Sequence, residues 1–249
     1  MRRALILAIS LIFIAAPSLA NDPLSLSALT SSTNETGETT YSLSLQILVL
    51  MSVITVLPSI VLGMTAFTRI IIVLSILRQA LGTQQTPPNQ VLIAIALFLT
   101  ATVMTPTLTK VYDEALTPYL EENMTAEDAI LVGGAIIKEF MVLNTREDAL
   151  VVFSDLNNSG PYATNADIPY SVILPAFITS ELKTAFQIGF LIFLPFLVID
   201  MVISSILMSL GMMMLSPMLI SLPFKLLLFV LVDGWSMTAA SLVATFVSP

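Results

Sequence analysis

The sequence has no cysteine and no histidine, and only 10% of its 249 residues are charged. Without thiols and imidazoles, the chain cannot form disulfides, cysteine or histidine catalytic groups, or the usual zinc sites. These absences exclude most classes of enzyme, and we expect no enzyme activity, no metal and no cofactor. Hydrophobic residues make up 56% of the chain and the mean hydropathy is +0.95, which is too apolar for a soluble domain. The composition indicates a polytopic membrane protein.

The amino terminus has the pattern of a secretory signal. Arg2 and Arg3 are followed by an apolar stretch, residues 5–16, that is too short to span a bilayer. Ser18-Leu-Ala20 is a small-x-small cleavage site, so residues 1–20 are predicted to be removed after Ala20. The alternative is an uncleaved anchor. Residues 21–42, rich in Ser, Thr and Asn, are predicted to form a flexible periplasmic linker.

Four apolar blocks follow the linker, at residues 43–64, 90–108, 189–210 and 218–232. A helix of about 22 residues covers about 33 Å, enough for a hydrocarbon core of about 30 Å, and the fourth block is marginal by this measure. Kinked or broken helices are expected at the prolines inside the blocks, which are Pro58, Pro106, Pro195 and Pro223. The predicted fold is an all-α membrane protein with helical hairpin regions at 43–108 and 171–249.

The segment between these regions, residues 109–170, is acidic. It holds eleven acidic and three basic residues, while acids and bases balance in the rest, so it carries the whole formal charge of −8. We interpret it as a mostly helical insertion exported to the periplasm, with a helix capped at Thr125. Arg69 and Arg78 then lie on the cytoplasmic side, in agreement with the positive-inside rule.

The connection between the last two blocks carries three consecutive methionines and no charge. Methionine is unbranched and repacks at low energetic cost, which suits a seal that must deform. If several copies surround an axis, Met212, Met213 and Met214 from each copy would form an apolar constriction that blocks ions by dewetting. The alternative is that these side chains fill the core or face lipid.

Several charged residues lie in or next to the apolar blocks, where each requires a partner or a watery cavity. Glu181 and Lys183 are two positions apart and point in different directions on a helix, so they cannot pair. We expect intersubunit charge contacts at Glu181, Lys183, Arg146 and Lys225, with pairing inside the chain as the alternative. Asp200, Asp233 and Arg69 are predicted to be buried charges, and either aspartate is an alternative proton-relay group.

The chain from about residue 43 resembles the FliP family of flagellar biosynthetic proteins. The resemblance lies in FTRIII (67–72), LGT (81–83), PPNQV (87–91), TSELKTAFQIGF (179–190), LPFLVID (194–200), LGMMM (210–214), LPFK (222–225) and VDGW (232–235). It implies a core pore-forming subunit of the flagellar type III protein export gate, with Met212, Met213 and Met214 as the gasket that surrounds the exported polypeptide.

The resemblance also implies the partners and the location. A homo-oligomer of about five copies, ring-like or helical, would assemble with FliQ and FliR, near FlhB and FlhA. It would conduct unfolded flagellar proteins through the bacterial inner membrane, within the flagellar basal body, and would contact lipid but no nucleic acid. The alternative functions are a proton-coupled transporter or ion channel, for which internal repeats are not evident, and an intramembrane hydrolase, for which only Ser180 and Lys183 lie near each other.

Overall fold

The structure, a computed structural model, describes residues 32–33, 39–40, 43–83, 85–212 and 215–246. The predicted signal segment 1–20, with its cleavage site at Ala20, and most of the linker lie outside the described residues. Within the linker, two short strands, Ser32–Thr33 (β1) and Thr39–Thr40 (β2), pair antiparallel. The chain divides into two compact units, Met1–Leu57 and Pro58–Pro249. The core and all of the sites discussed below belong to the second unit.

Nine α-helices account for most of the described residues. They are α1 Leu43–Gly63, α2 Phe67–Ala80, α3 Asn89–Val111, α4 Thr117–Leu120, α5 Ala126–Asn144, α6 Glu147–Leu156, α7 Tyr170–Ser209, α8 Pro217–Leu231 and α9 Gly234–Ala244. A π-helical turn, Tyr112–Leu116, joins α3 to α4, and a 3-10 turn, Asn165–Asp167, precedes α7. The predicted all-α fold is confirmed for the residues described, apart from the short strand pair.

The core of the second unit is built around α7. Its first half buries Ile173 and Phe177 against Leu74 of α2 and Phe140 of α5. The rings of Phe140 and Phe177 meet edge to face with centroids 6.2 Å apart, a favourable arrangement for aromatic pairs. The contact between α2 and α7 is the most extensive between any two helices, and α3, α5 and α6 pack around this pair.

The insertion 109–170 contains the helix predicted from its sequence, and a turn after α6. Thr125 precedes α5, and its hydroxyl accepts a hydrogen bond from the backbone N–H of Asp128 at 3.2 Å, so the predicted N-cap is confirmed. After α6 the chain turns at Asn157–Gly160, where Asn158 and Gly160 have positive φ values of 49° and 108°. The end of α3, the π-helical turn and α4 also lie in this segment.

The helices continue through the prolines that were expected to interrupt them. Pro58 lies inside α1, Pro106 inside α3, Pro195 inside α7 and Pro223 inside α8, so of the kinked or broken helices predicted at these sites, breaks are excluded and kinks stay a prediction. A proline removes one backbone hydrogen bond, but in apolar surroundings the remaining bonds are too costly to give up. The sharp bends lie between α1 and α2 and between α8 and α9. The second bend, of 63°, follows Asp233, which has a left-handed backbone with a φ of 48°.

Two helices among the described residues are long and apolar enough to cross a membrane, Asn89–Leu120 and α7. Counting each bent pair, α1–α2 and α8–α9, as one span raises the number to four. The third block, predicted at residues 189–210, is only the second half of α7, which has 40 residues. At about 1.5 Å per residue it is about 60 Å long, twice the hydrocarbon core. Its first half was missed because polar side chains between Thr179 and Gln187 lower the local hydropathy.

The side chain of Ile76 in α2 packs directly against the backbone of α7 at Gly189. A methyl group added at Gly189 would collide with Ile76 of α2. Overpacking costs about 1–3 kcal/mol and the helix preference of alanine returns about 1 kcal/mol, so we expect Gly189→Ala to destabilise the fold by up to about 2 kcal/mol. Thermal unfolding of the purified protein in detergent, followed by circular dichroism, measures the change.

Gly133→Ala in α5 is the matched control. A methyl group there would meet only Val111 and Ala115, at ordinary contact distances of 3.5 and 3.6 Å. Since alanine favours helix over glycine by about 1 kcal/mol, the control variant should be as stable as the parent or more so. Equal melting temperatures for the parent and Gly189→Ala would contradict the close approach.

Candidate functional site

A buried ion pair joins α2 to α7. Arg69 donates from Nε to Oε2 of Glu181 at 2.8 Å and from Nη2 to Oε1 of the same carboxylate. The side chains are 4% and 0% exposed, respectively. The bidentate arrangement gives both carboxylate oxygens a charged donor, which is the condition under which a buried ion pair is tolerated.

The end of the described chain completes the surroundings of Arg69. Its Nη1 donates to the backbone carbonyl and to the hydroxyl of Thr245, each at 3.0 Å. Its guanidinium carbon lies 3.9 Å from the centre of the Phe246 ring, within the range of a cation–π contact. Phe246 in turn stacks on Phe140, with centroids 6.4 Å apart. The buried pair therefore connects α2, α7, α5 and the segment that follows α9.

A second charge cluster lies at the surface between α6 and α7. Lys183 forms an ion pair with Asp148, and Arg146 Nε lies 3.4 Å from Oδ1 of the same carboxylate. Arg146 also donates to Oε1 of Gln187 at 3.2 Å. The hydrogen bond from Lys183 holds the pKa of the Asp148 carboxyl below its usual value. Because these side chains are 43–52% exposed, solvent screens the pairs and we expect them to contribute little stability.

A third cluster joins α7, α8 and the end of α2. Lys225 Nζ donates to Oδ2 of Asp200 at 2.5 Å and to the carbonyl of Ala80 at 3.1 Å. Ser221 Oγ donates to Oδ1 of Asp200, also at 2.5 Å. Lys225 is only 3% exposed and Ser221 is fully buried. We call Asp200, Ser221 and Lys225 the polar lock.

The methionine turn, residues 210–216, connects α7 to α8. Gly211 has a φ of 74°, and its N–H donates to the carbonyl of Met208, while the N–H of Met212 donates to the carbonyl of Leu207. This pair of bonds is a Schellman motif, whose left-handed position favours glycine. Met212 follows directly and is 47% exposed. Met213 and Met214 lie outside the described residues.

The structure separates the charged residues singled out from the sequence into these three clusters, apart from Asp233. That residue stands at the start of α9, where it is exposed and its side chain makes no capping hydrogen bond, so the prediction that Asp233 is a buried charge is wrong. Arg69 is buried as predicted, whereas the Asp200 side chain is 36% exposed. The expectation that Glu181 and Lys225 find their partners in neighbouring subunits is wrong, because Arg69 and Asp200 of the same chain pair with them. The inference that Glu181 and Lys183 do not pair with each other is confirmed. Within the described residues, no group of three acidic side chains is placed to hold a metal ion.

The sequence that forms these elements matches a known protein family. The family model described as the FliP family matches residues 50–242, from α1 to α9, and so includes all three charge clusters and the methionine turn. The chain belongs to the FliP family. This membership agrees with the resemblance seen in the sequence motifs.

Individual FliP proteins are similar over most of the chain. The flagellar biosynthetic protein FliP of Cereibacter sphaeroides is 69% identical over 216 residues, which cover 87% of this chain and 72% of that protein. FliP of Pectobacterium carotovorum is 54% identical, over 85% of this chain and 82% of its own length. FliP of Bacillus subtilis is 51% identical, over 82% of this chain and 93% of its own length. As a FliP family member with apolar helices, the chain is a membrane-embedded component of the flagellar type III export gate.

Proposed function

We propose that this chain is a core pore-forming subunit of the export gate and that it conducts unfolded flagellar proteins. The observation that carries the proposal is the hairpin of α7 and α8, whose turn exposes Met212 in a stretch, residues 201–224, without a single charge. Flexible thioether side chains can close around a polypeptide of varying shape, and an apolar constriction excludes ions when the channel is empty. Met212, Met213 and Met214 form this gasket.

Copies of the chain surround the channel. About five of them assemble with FliQ and FliR, next to FlhB and FlhA, in the inner membrane within the flagellar basal body. The exposed apolar side chains of α7 and α8 support this arrangement, because they suit contact with lipid and with sister subunits. Arg146 and Lys183, exposed at the surface of α6 and α7, contribute charge contacts between subunits.

The signal segment and the charge distribution support a membrane topology for the chain. Residues 1–20 act as a signal that is removed after Ala20, and residues 21–42 are a periplasmic linker. The acidic insertion 109–170 lies in the periplasm, between the hairpin regions 43–108 and 171–249. Its surplus of negative charge keeps it soluble there.

A proton-coupled transporter is not favoured. It would require an acidic side chain free to bind and release protons, whereas both carboxylate oxygens of Asp200 accept hydrogen bonds from Ser221 and Lys225. Such an arrangement is typical of a structural ion pair. The chain works as a wall of the conduit and catalyses no reaction.

The mass of the purified complex tests the proposal. Mild detergent extraction followed by native mass spectrometry should give a complex with several copies of this chain and two smaller apolar proteins. Its density map should place residues 210–216 at the central axis. A monomer or dimer without partners, or a turn on the lipid-facing side, would overturn the proposal.

A further inference from the structure

Helix α8 buries polar side chains and exposes apolar ones. Its three buried residues, Ser221, Lys225 and Phe229, are spaced four apart and form a single stripe. Leu219, Leu227 and Val230 on the remaining surface are 59–73% exposed. This polarity is the reverse of a soluble amphipathic helix. The attachment of α8 therefore depends on the polar bonds of that stripe far more than in a helix with an apolar buried face.

Phe229, the apolar member of the stripe, lies at the end of α8 away from the turn. It packs against Phe196 of α7 and Trp235 of α9, with ring centroids 6.4 and 5.3 Å apart. The two polar members lie closer to the turn, and Ser221 is the buried residue of α8 nearest to it. Along α8, the polar lock is thus the last buried attachment before the methionine turn.

Between the polar lock and the turn, the two helices leave a groove with a volume of about 600 Å³. It is lined on α7 by Met201, Ser204, Ser205 and Met208 and on the other side by Ser216, Pro217 and Met218, with Asp200 at its inner end. Met208 and Met218 are 61% and 45% exposed. On the side of the groove, α7 and α8 are therefore not packed against each other, and Leu207 is the one buried residue of α7 between Asp200 and the turn among the residues described.

We propose that the polar lock is the positioning device of the methionine turn. Asp200 binds Ser221 and Lys225 and so fixes the position of α8 along the axis of α7. The hydrogen bond from Lys225 to the Ala80 carbonyl fixes α8 relative to the end of α2. The register of α8, and with it the position of the described ends of the turn, residues 210–212 and 215–216, is set by these polar bonds. The consequence for ion leakage rests on the proposed function; the positioning itself does not.

Pulsed electron paramagnetic resonance tests the positioning. Because the chain has no cysteine, Val202→Cys on α7 and Leu219→Cys on α8 supply two unique spin-label sites between the lock and the turn. Dilution with unlabelled chain in the purified complex isolates the distance within one subunit. Both side chains are exposed, at 51% and 73%, so labelling should disturb packing little. We expect one narrow distance peak in the parent.

The variant Asp200→Asn/Lys225→Met removes both charges together, which avoids leaving either of them buried and unpaired. We expect it to lose the narrow peak. The control Asp155→Asn/Lys138→Met makes the same two changes in the acidic insertion, and the peak should persist. A second label pair, Leu143→Cys on α5 and Leu182→Cys on α7, reports on the core and should be unchanged by either variant.

Each result decides one claim. An unchanged distance peak for the 202/219 label pair would overturn the positioning role. A simultaneous change in the 143/182 label pair would also overturn it, because the polar lock would then only support the general fold. If the double variant does not assemble, Ser221→Ala decides in its place: a broader peak supports the role and an unchanged one overturns it. Ion conductance is measured on the same samples. If the variant loses the narrow peak but conductance does not rise, the positioning role of the polar lock is supported and the gasket proposal is contradicted.

Discussion

Replacing Glu181 by glutamine is expected to destabilise the fold by about 3–5 kcal/mol, the range found when one partner of a buried ion pair is removed. The substitution leaves Arg69, which is 3% exposed, without a counter-charge in the core. The Thr245 oxygens and the Phe246 ring remain, but none of them carries a charge. Denaturant unfolding of the purified protein, followed by circular dichroism, measures the loss.

The double variant Arg69→Met/Glu181→Leu shows whether this loss reflects an unpaired charge or lost packing. It removes both charges and fills much of the same space with apolar side chains, so it should recover most of the stability lost in Glu181→Gln. Asp148→Asn is the control at an exposed pair, where a small effect is expected. A double variant as unstable as the single one would contradict the explanation by charge.

Charge reversal distinguishes a pair within one chain from a pair between subunits. Glu181→Arg places two cations in one buried site, so we expect a chain that does not fold. Adding Arg69→Glu in the same chain should restore folding and assembly. Co-expressing the two single reversals in separate chains should not, because each chain still contains like charges in contact. Rescue by co-expression would place the partner of Glu181 in a neighbouring subunit.

The partner of Lys225 could have been predicted from the sequence. Asp200 lies about as many residues before the methionine turn as Lys225 lies after it. In an antiparallel helical hairpin, residues equally far from the turn lie at the same height. Without this comparison, Asp200 is interpreted as a buried charge or a proton-relay group and Lys225 as a contact between subunits.

The partner of Glu181 could not be found in this way. Arg69 is 112 positions away, on a helix whose orientation depends on the packing of α2 against α7. No local spacing encodes that contact. The full length of α7 was hidden for a related reason, since its first half carries the polar residues that pair with other helices. The helical content, the cap at Thr125 and the uncharged turn depend on neighbouring residues, and sequence reasoning found them.

Replacing Met212, Met213 and Met214 together by alanine is expected to leave assembly intact and to raise ion leakage through the closed gate. Each substitution shortens an apolar side chain at the proposed constriction, which would widen the opening and admit water. A barrier lowered by about 1.4 kcal/mol raises the leak about tenfold. Conductance of the purified complex in planar bilayers, with substrate absent, measures the change.

The leucine variant at the same three positions separates apolar volume from flexibility. Leucine is close to methionine in volume, so the closed gate should stay tight, but its branched side chain repacks less readily around a moving polypeptide. We therefore expect low leakage combined with slower export of flagellar subunits. The control Met51→Ala/Met124→Ala/Met237→Ala makes the same truncations away from the turn and should change neither quantity. Leakage equal to the parent in the alanine variant would remove the gasket from the mechanism, even if the channel itself were confirmed.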